Sequence, residues 1–271
     1  MKKITLTLLS AVVMLTAYGQ SADTTIVLNY GEMGPVDTIT VSKSSATFKQ
    51  LQEAETLIKG ITNKRVKNKT VMSYILSNPD SDGSIYLLNH LRGSENTKKC
   101  LAAMSEKTRN GVMKKLYDIF AEGMKRFDEL TAPTAEACQI GKEATDFTLE
   151  DIDGKPLTLS SLRGKYVMLD FWGSWCGNCI AAYPEIKAFY EQHRDKLEIL
   201  GVAFHDKKDV WIASAKEHEL SWKLVLDTDG ENSVASRYGI VAAPTYVLID
   251  PEGKVVNWDV GAHETIVEYF E

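Results

Sequence analysis

The sequence predicts an α/β protein in two parts, a mainly helical N-terminal region with short strands followed by a mixed sheet flanked by helices. Three observations predict it. Apolar residues recur at helical spacing from about Ala46 to Leu130. Beyond Asp146, short apolar runs alternate with helical stretches. Between the two patterns lies Thr131 to Asp146, short of large apolar side chains and carrying Pro133 and Gly141, which reads as a linker.

The chain of 271 residues, 44% hydrophobic, is long enough for one large core or two smaller ones. It opens with Lys2 and Lys3, an apolar run from Ile4 to about Leu15, and Ala17 and Gly19 ahead of Gln20. That is the layout of a secretory signal peptide, with cleavage expected after Gly19 and an uncleaved anchor as the alternative. The run is shorter than the roughly 20 apolar residues a spanning helix needs, so no stable membrane insertion is expected after cleavage. The organisation read from the chain is therefore a signal peptide over 1–19, a helical region over 20–136 and the α/β domain over 137–271. Without Lys2 and Lys3, 29 basic side chains face 37 acidic ones, a net charge near −8. Such a balance offers no electrostatic attraction for nucleic acid, and none is expected as a partner.

In order along the chain, TTIVLNY and DTITVS around GEMGP read as a strand pair. Leu51, Ala54, Leu57 and Ile58 mark one helix, and Val71, Tyr74 and Ile75 the next, broken at NPDSDG. Further starts are expected near Ser84 and Ser94, and Val112, Leu116, Ile119, Phe120, Phe127 and Leu130 line one face of the last helix. These stripes read as helix core. In the α/β part, DFTLEDIDGKPLTL is a hairpin turning at Asp153-Gly154, and SSLRG is a helical turn. A strand through YVMLDFW, a helix from about Asn178 to His193, and alternating strands and helices follow, closing with PTYVLID, a DPEG turn, KVVNWDVG and a terminal helix. The alternation implies parallel pairing with right-handed crossovers, and the tight DPEG turn adds an antiparallel edge.

Cys176 and Cys179 form a C-x-x-C pair at the junction of the strand and its helix, the expected position of a dithiol redox site. At a helix start, unpaired amide donors and the positive end of the dipole favour the Cys176 thiolate, the form that attacks a disulfide. A pKa near ~7 would make it about half thiolate, against a few per cent for free cysteine near ~8.5. Cys179, one turn later, is placed to resolve the mixed disulfide. The same spacing serves an inert structural disulfide or half a zinc site, but zinc needs two further ligands and no second C-x-x-C or H-x-x-x-H is present. Neither a metal nor another cofactor is expected.

With these residues read, a resemblance follows. DFWGSWCGNC with Pro184 in the next helix, GIVAAPTYVLID further on, and the flanking GKEATDFTLEDIDGKPLTLSSLRGK and VLDTDGENSVASRYGIVAAPT resemble thioredoxin-like proteins of the TlpA/ResA type, over about Gly141 to the C-terminus. YILSNPDSDGSIYLLNHL is more weakly similar to the segment preceding this domain in exported members. The resemblance implies a thioredoxin-like fold and a thiol-disulfide oxidoreductase, more often a reductant, with Cys176 and Cys179 as a redox-active disulfide. Its partners would be substrate proteins bearing thiols or disulfides and a membrane electron donor. It further implies that Trp175 shields the thiol and docks substrate, that Pro244 is cis, and that Ala243, Pro244 and Thr245 bind an extended substrate backbone. Asp170 matches the buried acid behind the resolving cysteine, whose burial would raise its pKa and let it take the Cys179 proton. Two positions depart from the pattern. Ala182 stands where related members often carry a glutamate, and Gly177-Asn178 replaces Gly-Pro.

Cys100 and Cys138 would, if paired, close a loop of about 39 residues and add about 4 kcal/mol; free buried thiols are the other reading. His90, His193, His205, His218 and His263 lack ligand spacing and read as structural or surface residues, with His205 nearest the site. The competing class is a thioredoxin-fold binding module whose cysteine pair is structural.

Overall fold

A computed structural model describes residues 12–16, 23–29, 37–227, 230, 232–261 and 263–270. The chain divides into two compact units, Met1–Phe127 and Asp128–Glu271.

In the first unit, strands β1 (Val12–Thr16), β2 (Asp23–Asn29) and β3 (Asp37–Ser42) form an antiparallel sheet in that order. The expected strand pair is thus β2 and β3, and its GEMGP turn lies outside the described residues. β1 falls within the apolar run read as a signal peptide; the rest of residues 1–19 and the expected cleavage point lie outside the described residues. Helices α1 (Ala46–Ile58), α2 (Lys64–Ser77), α3 (Asp82–Leu87), α4 (Ser94–Ala103) and α5 (Glu106–Arg109) follow. Ser45, Asn63, Ser81 and Ser105 cap α1, α2, α3 and α5 by accepting backbone N–H bonds, which offsets the orphan donors of each first turn. Leu51, Val71, Ile75, Ile85, Leu87, Met113 and Leu116 are fully buried in one core. A Cβ on Gly83 would stand 2.6 Å from the Gln50 carbonyl, so α3 approaches α1 as closely as it does only because this residue is glycine.

The expected linker is corrected by the structure. Helix α6 runs from Lys114 to Ala137 with Pro133 inside it. Its last turns lack large apolar residues because they meet backbone: Thr134 donates its hydroxyl to the Gly239 carbonyl at 2.5 Å, and a Cβ on Gly239 would lie 2.3 Å from Pro133. Thr131, Thr134 and Cys138, at steps of three and four, are buried.

Downstream, β4 (Thr148–Glu150) and β5 (Pro156–Thr158) make the hairpin, with Gly154 at φ 79° and the Asp151 carboxylate accepting from the Asp153 and Lys155 amides. The main sheet contains β6 (Tyr166–Trp172), β7 (Leu197–Ala203), β8 (Lys223–Leu226), β9 (Thr245–Ile249) and β10 (Val255–Val260). Its spatial order is β10-β9-β6-β7-β8, with β6, β7 and β8 parallel and β9 and β10 antiparallel. Helices α7 (Gly177–His193), α8 (Lys208–Glu217), α9 (Val234–Arg237) and α10 (Glu264–Phe270) complete the unit. β6 is the central strand, and six of its seven residues are buried. Met168 and Trp172 pack into the core that holds Cys176, Cys179 and Tyr183, while Val167, Leu169 and Phe171 point into the opposite core.

Candidate active site

The site forms where the chain leaves β6 and enters α7. Cys176 is the N-cap of that helix, and its Sγ accepts the Cys179 amide at 3.1 Å. A turn closes just before it, with the Cys176 amide donating to the Gly173 carbonyl at 2.9 Å. Cys176 and Cys179 are joined in a disulfide with their Cα atoms 5.3 Å apart, the first 5% exposed and the second fully buried. The helix therefore places one first-turn donor, the Cys179 amide, on the Cys176 sulfur at the positive end of its dipole.

Asp170 lies two residues before the end of β6, opposite Gly201 on β7 and Tyr246 on β9. Strand alternation sets it on the same face as Met168 and Trp172, the face that packs against α7. It is 1% exposed, and neither carboxylate oxygen has a hydrogen-bond partner among the described residues. Burial alone pushes its carboxyl up to about 7, because the ionised form has lost water without gaining a donor. Tyr183, one turn beyond Cys179, turns its ring edge to Trp172 at 5.9 Å, and its hydroxyl is driven upward by burial and by the charges of Asp170 and Asp206.

Trp175 is half exposed at the rim. Its indole N–H donates to the Phe204 carbonyl at 3.3 Å and its ring meets the Phe204 ring edge-on at 5.6 Å. A Cβ on Gly173 would stand 2.4 Å from the Trp175 indole nitrogen, which is why the turn carries glycine there. The Ala243-Pro244 peptide is cis. Pro244 offers its carbonyl to the Gly261 amide at 2.7 Å, and buried Thr245 donates its hydroxyl to the Ala242 carbonyl at 2.7 Å. In the register of the sheet Thr245 sits opposite Phe171, so the cis-proline loop precedes β9 at the end of the sheet where β6 delivers the cysteines.

The Cys100–Cys138 disulfide is not formed. Both are free thiols, fully buried, Cys100 in the first unit's core and Cys138 in a core of the second, where its Sγ faces the Tyr238 carbonyl at 3.8 Å. Burial raises Cys100 to about 11 and Cys138 to about 12, so both behave as small apolar side chains. His205 is exposed at φ 52°, with its ring 5.2 Å from that of Phe204.

Sequence reasoning missed Asp206. Its carboxylate accepts both the Ser174 amide, at 2.6 Å, and the Ser174 hydroxyl, at 2.8 Å, two residues before Cys176. The available signal was topological: β7 was expected to run parallel to β6, and loops leaving the carboxyl ends of adjacent parallel strands lie side by side.

A helix-capping dithiol, a cis-proline loop at the same end of a mixed sheet, and a buried unpaired acid on the adjoining strand define a thioredoxin-fold dithiol site. Residues 140–257 match the AhpC/TSA family. The thiol-disulfide oxidoreductase ResA of Bacillus thuringiensis subsp. konkukian is 35% identical over 124 residues, which are 45% of this chain and 70% of that protein. ResA of Bacillus subtilis is 38% identical over 123 residues, 45% of this chain and 68% of that protein. Among solved structures, the thioredoxin domain of a thiol-disulfide oxidoreductase from Bacteroides vulgatus is 30% identical and covers 48% of this chain and 96% of that one, with a TM-score of 0.45. This chain belongs to the ResA family of thiol-disulfide oxidoreductases, and it is an oxidoreductase of that class.

Proposed function

We infer that the chain is an exported thiol-disulfide reductase in which Cys176 attacks and Cys179 resolves. The observation that carries this reading is the Cys176–Cys179 disulfide at the start of α7, where the Cys179 amide of the first turn donates to the attacking sulfur.

In the reduced state the Cys176 thiolate attacks one sulfur of a substrate disulfide, forming a mixed disulfide and releasing the other substrate sulfur as a thiolate. Cys179 then loses its proton to Asp170, whose affinity near neutrality suits it to accept one. The Cys179 thiolate attacks the Cys176 sulfur, the second substrate sulfur leaves, and the pair is oxidised. Two electrons pass to the substrate, which takes up two protons. A dithiol donor must then reduce the pair, and outside the cytoplasm that donor is a membrane protein. Trp175 and the Ala243-Pro244-Thr245 loop would hold an extended substrate segment across the site. Exposure of Trp175 supports this docking role.

Export rests on the N-terminal pattern of Lys2, Lys3 and the apolar run to about Leu15. Among the described residues no helix is long and apolar enough to cross a membrane. The proposed domains are a helical region over 20–136 and a thioredoxin-like domain over 137–271, the compact second unit beginning earlier, at Asp128 within α6. The test is insulin reduction by the protein and by Cys176→Ser. Activity lost in the variant is expected, and equal turnover by both would refute the assignment. Cys179→Ser should hold a substrate as a mixed disulfide, recoverable for mass spectrometry, and no trapped species from an extract of the cell envelope would count against a protein substrate.

A further inference from the structure

The loop after β7 makes four contacts with the turn that presents Cys176. The Phe204 carbonyl takes the Trp175 indole N–H and its ring packs against the indole. Asp206 gives one carboxylate oxygen to the Ser174 amide and the other to the Ser174 hydroxyl, and the latter oxygen also accepts the Lys207 amide at 3.0 Å. The Phe204 amide in turn donates to the Trp172 carbonyl at 3.1 Å. An asparagine at 206 could keep the Ser174 amide on its oxygen, but its NH2 would have to donate to the Ser174 hydroxyl, which now donates to the carboxylate, and would lose the Lys207 amide from that atom.

The same carboxylate brings a negative charge to the start of α7, where the dipole and free amides favour the thiolate. Because the disulfide form carries no such charge, a nearby anion penalises only the reduced state. A dithiol whose reduced form is destabilised is a stronger reductant. The charged and titratable side chains nearest the pair along these elements are Asp170 on β6, Tyr183 and Glu185 on α7, and His205, Asp206 and Lys207 on the loop after β7; Lys208 opens α8, Lys187, Tyr190, Glu191 and His193 lie further along α7, Tyr166 opens β6, and the loop Ala242 to Thr245 has none.

We propose that Asp206 is a positioning residue of the redox site: it clamps Ser174, and with it the turn carrying Trp175 and Cys176, and its charge disfavours the Cys176 thiolate and so makes the pair more reducing. This rests on the reading of Cys176 as the attacking thiol of a reductant.

The test is titration of the thiolate by its ultraviolet absorbance in reduced protein, in a Cys179→Ser background. Cys100 and Cys138, raised by burial to about 11 and about 12, stay protonated below about pH 9 and leave Cys176 as the thiol that titrates. A unit charge held against a residue two positions before the thiol, with an effective dielectric of about 20 to 40 and ionic screening, moves that thiol by about half a pH unit to one unit. Asp206→Asn should therefore lower the Cys176 midpoint by that amount, and neutral Asp206→Ser should do the same if the asparagine variant does not fold. Asp206→Glu keeps the charge and should hold the midpoint within about 0.3 units. Ser174→Ala keeps the charge while losing half of the clamp, so its midpoint should stay in place while its reaction with insulin slows by about threefold or more. A midpoint in both neutral variants equal to or above that of the unsubstituted protein overturns the proposal, as does a Ser174→Ala variant that reproduces their shift. Failure of the unsubstituted protein to reduce insulin would reject the reductant reading alone, since the titration still decides what Asp206 does to Cys176.

Discussion

Substituting Asp170 by asparagine should flatten the dependence of stability on pH. The carboxyl is pushed from its ordinary value of 3.8 up to about 7 because it is buried with neither oxygen hydrogen-bonded among the described residues. Each tenfold change in proton affinity is worth about 1.4 kcal/mol, so holding this group ionised in the fold costs about 4 kcal/mol. The folded state keeps a proton between about pH 4 and pH 7 that the unfolded chain has released. Its stabilising contribution is therefore complete below the unfolded pKa and is lost as the pH rises through about 7. Between pH 5 and pH 8 that loss amounts to about 2 to 3 kcal/mol, and asparagine, which does not titrate, removes it. Urea unfolding of the oxidised protein at the two pH values gives the quantity directly. Tryptophan fluorescence suits the purpose because all five tryptophans, Trp172, Trp175, Trp211, Trp222 and Trp258, lie in the second unit. Comparing the change with pH between the two proteins cancels the desolvation cost of the asparagine amide itself. Parallel pH dependences would refute the reasoning, since an acid that loses nothing on ionising is neither dry nor unpaired.

Three further outcomes are expected. Gly201→Ala should destabilise the second unit by about 1–3 kcal/mol in the same urea assay, because its Cβ would stand 2.7 Å from Leu224 and 3.1 and 3.3 Å from the Trp172 and Trp222 indole nitrogens. In reduced, folded protein at pH 8, Cys100 and Cys138 should resist alkylation while Cys176 reacts, and peptide mapping should find the two buried thiols labelled only after unfolding. Trp175→Ala should slow reduction of a protein disulfide about tenfold while changing the rate with a small aromatic disulfide much less, and equal losses with both would assign the indole to shielding the thiol instead of to docking.

The pair of cysteines and the strand that leads to them were legible in sequence because each depends on local signals, whereas the cis bond at Pro244 was expected only through the resemblance to TlpA/ResA-type proteins. A C-x-x-C between an apolar run and an amphipathic one marks a helix start, and alternation along YVMLDFW assigns Asp170 to a face. The stretch from Thr131 to Ala137 misled for a physical reason. Helix prediction looks for large apolar side chains at periodic spacing, and this helix end instead packs small residues against the backbone at Gly239, a partner more than a hundred residues away. The free state of Cys100 and Cys138 was equally beyond reach, since pairing is decided by which core each thiol joins.

By itself the sequence determined the order of elements, the dithiol at a helix start and an acid within the strand that leads to it, because helix caps, strand period and dithiol spacing act over a few residues, while the role of that acid came with the resemblance. Tertiary structure alone decided how that acid is tuned and what steadies the reactive turn. Asp170 titrates near neutrality only because β7, β9 and α7 exclude water without offering it a donor. Asp206 meets Ser174 only because parallel strands set their outgoing loops edge to edge, a proximity that a sequence separation of 32 does not reveal.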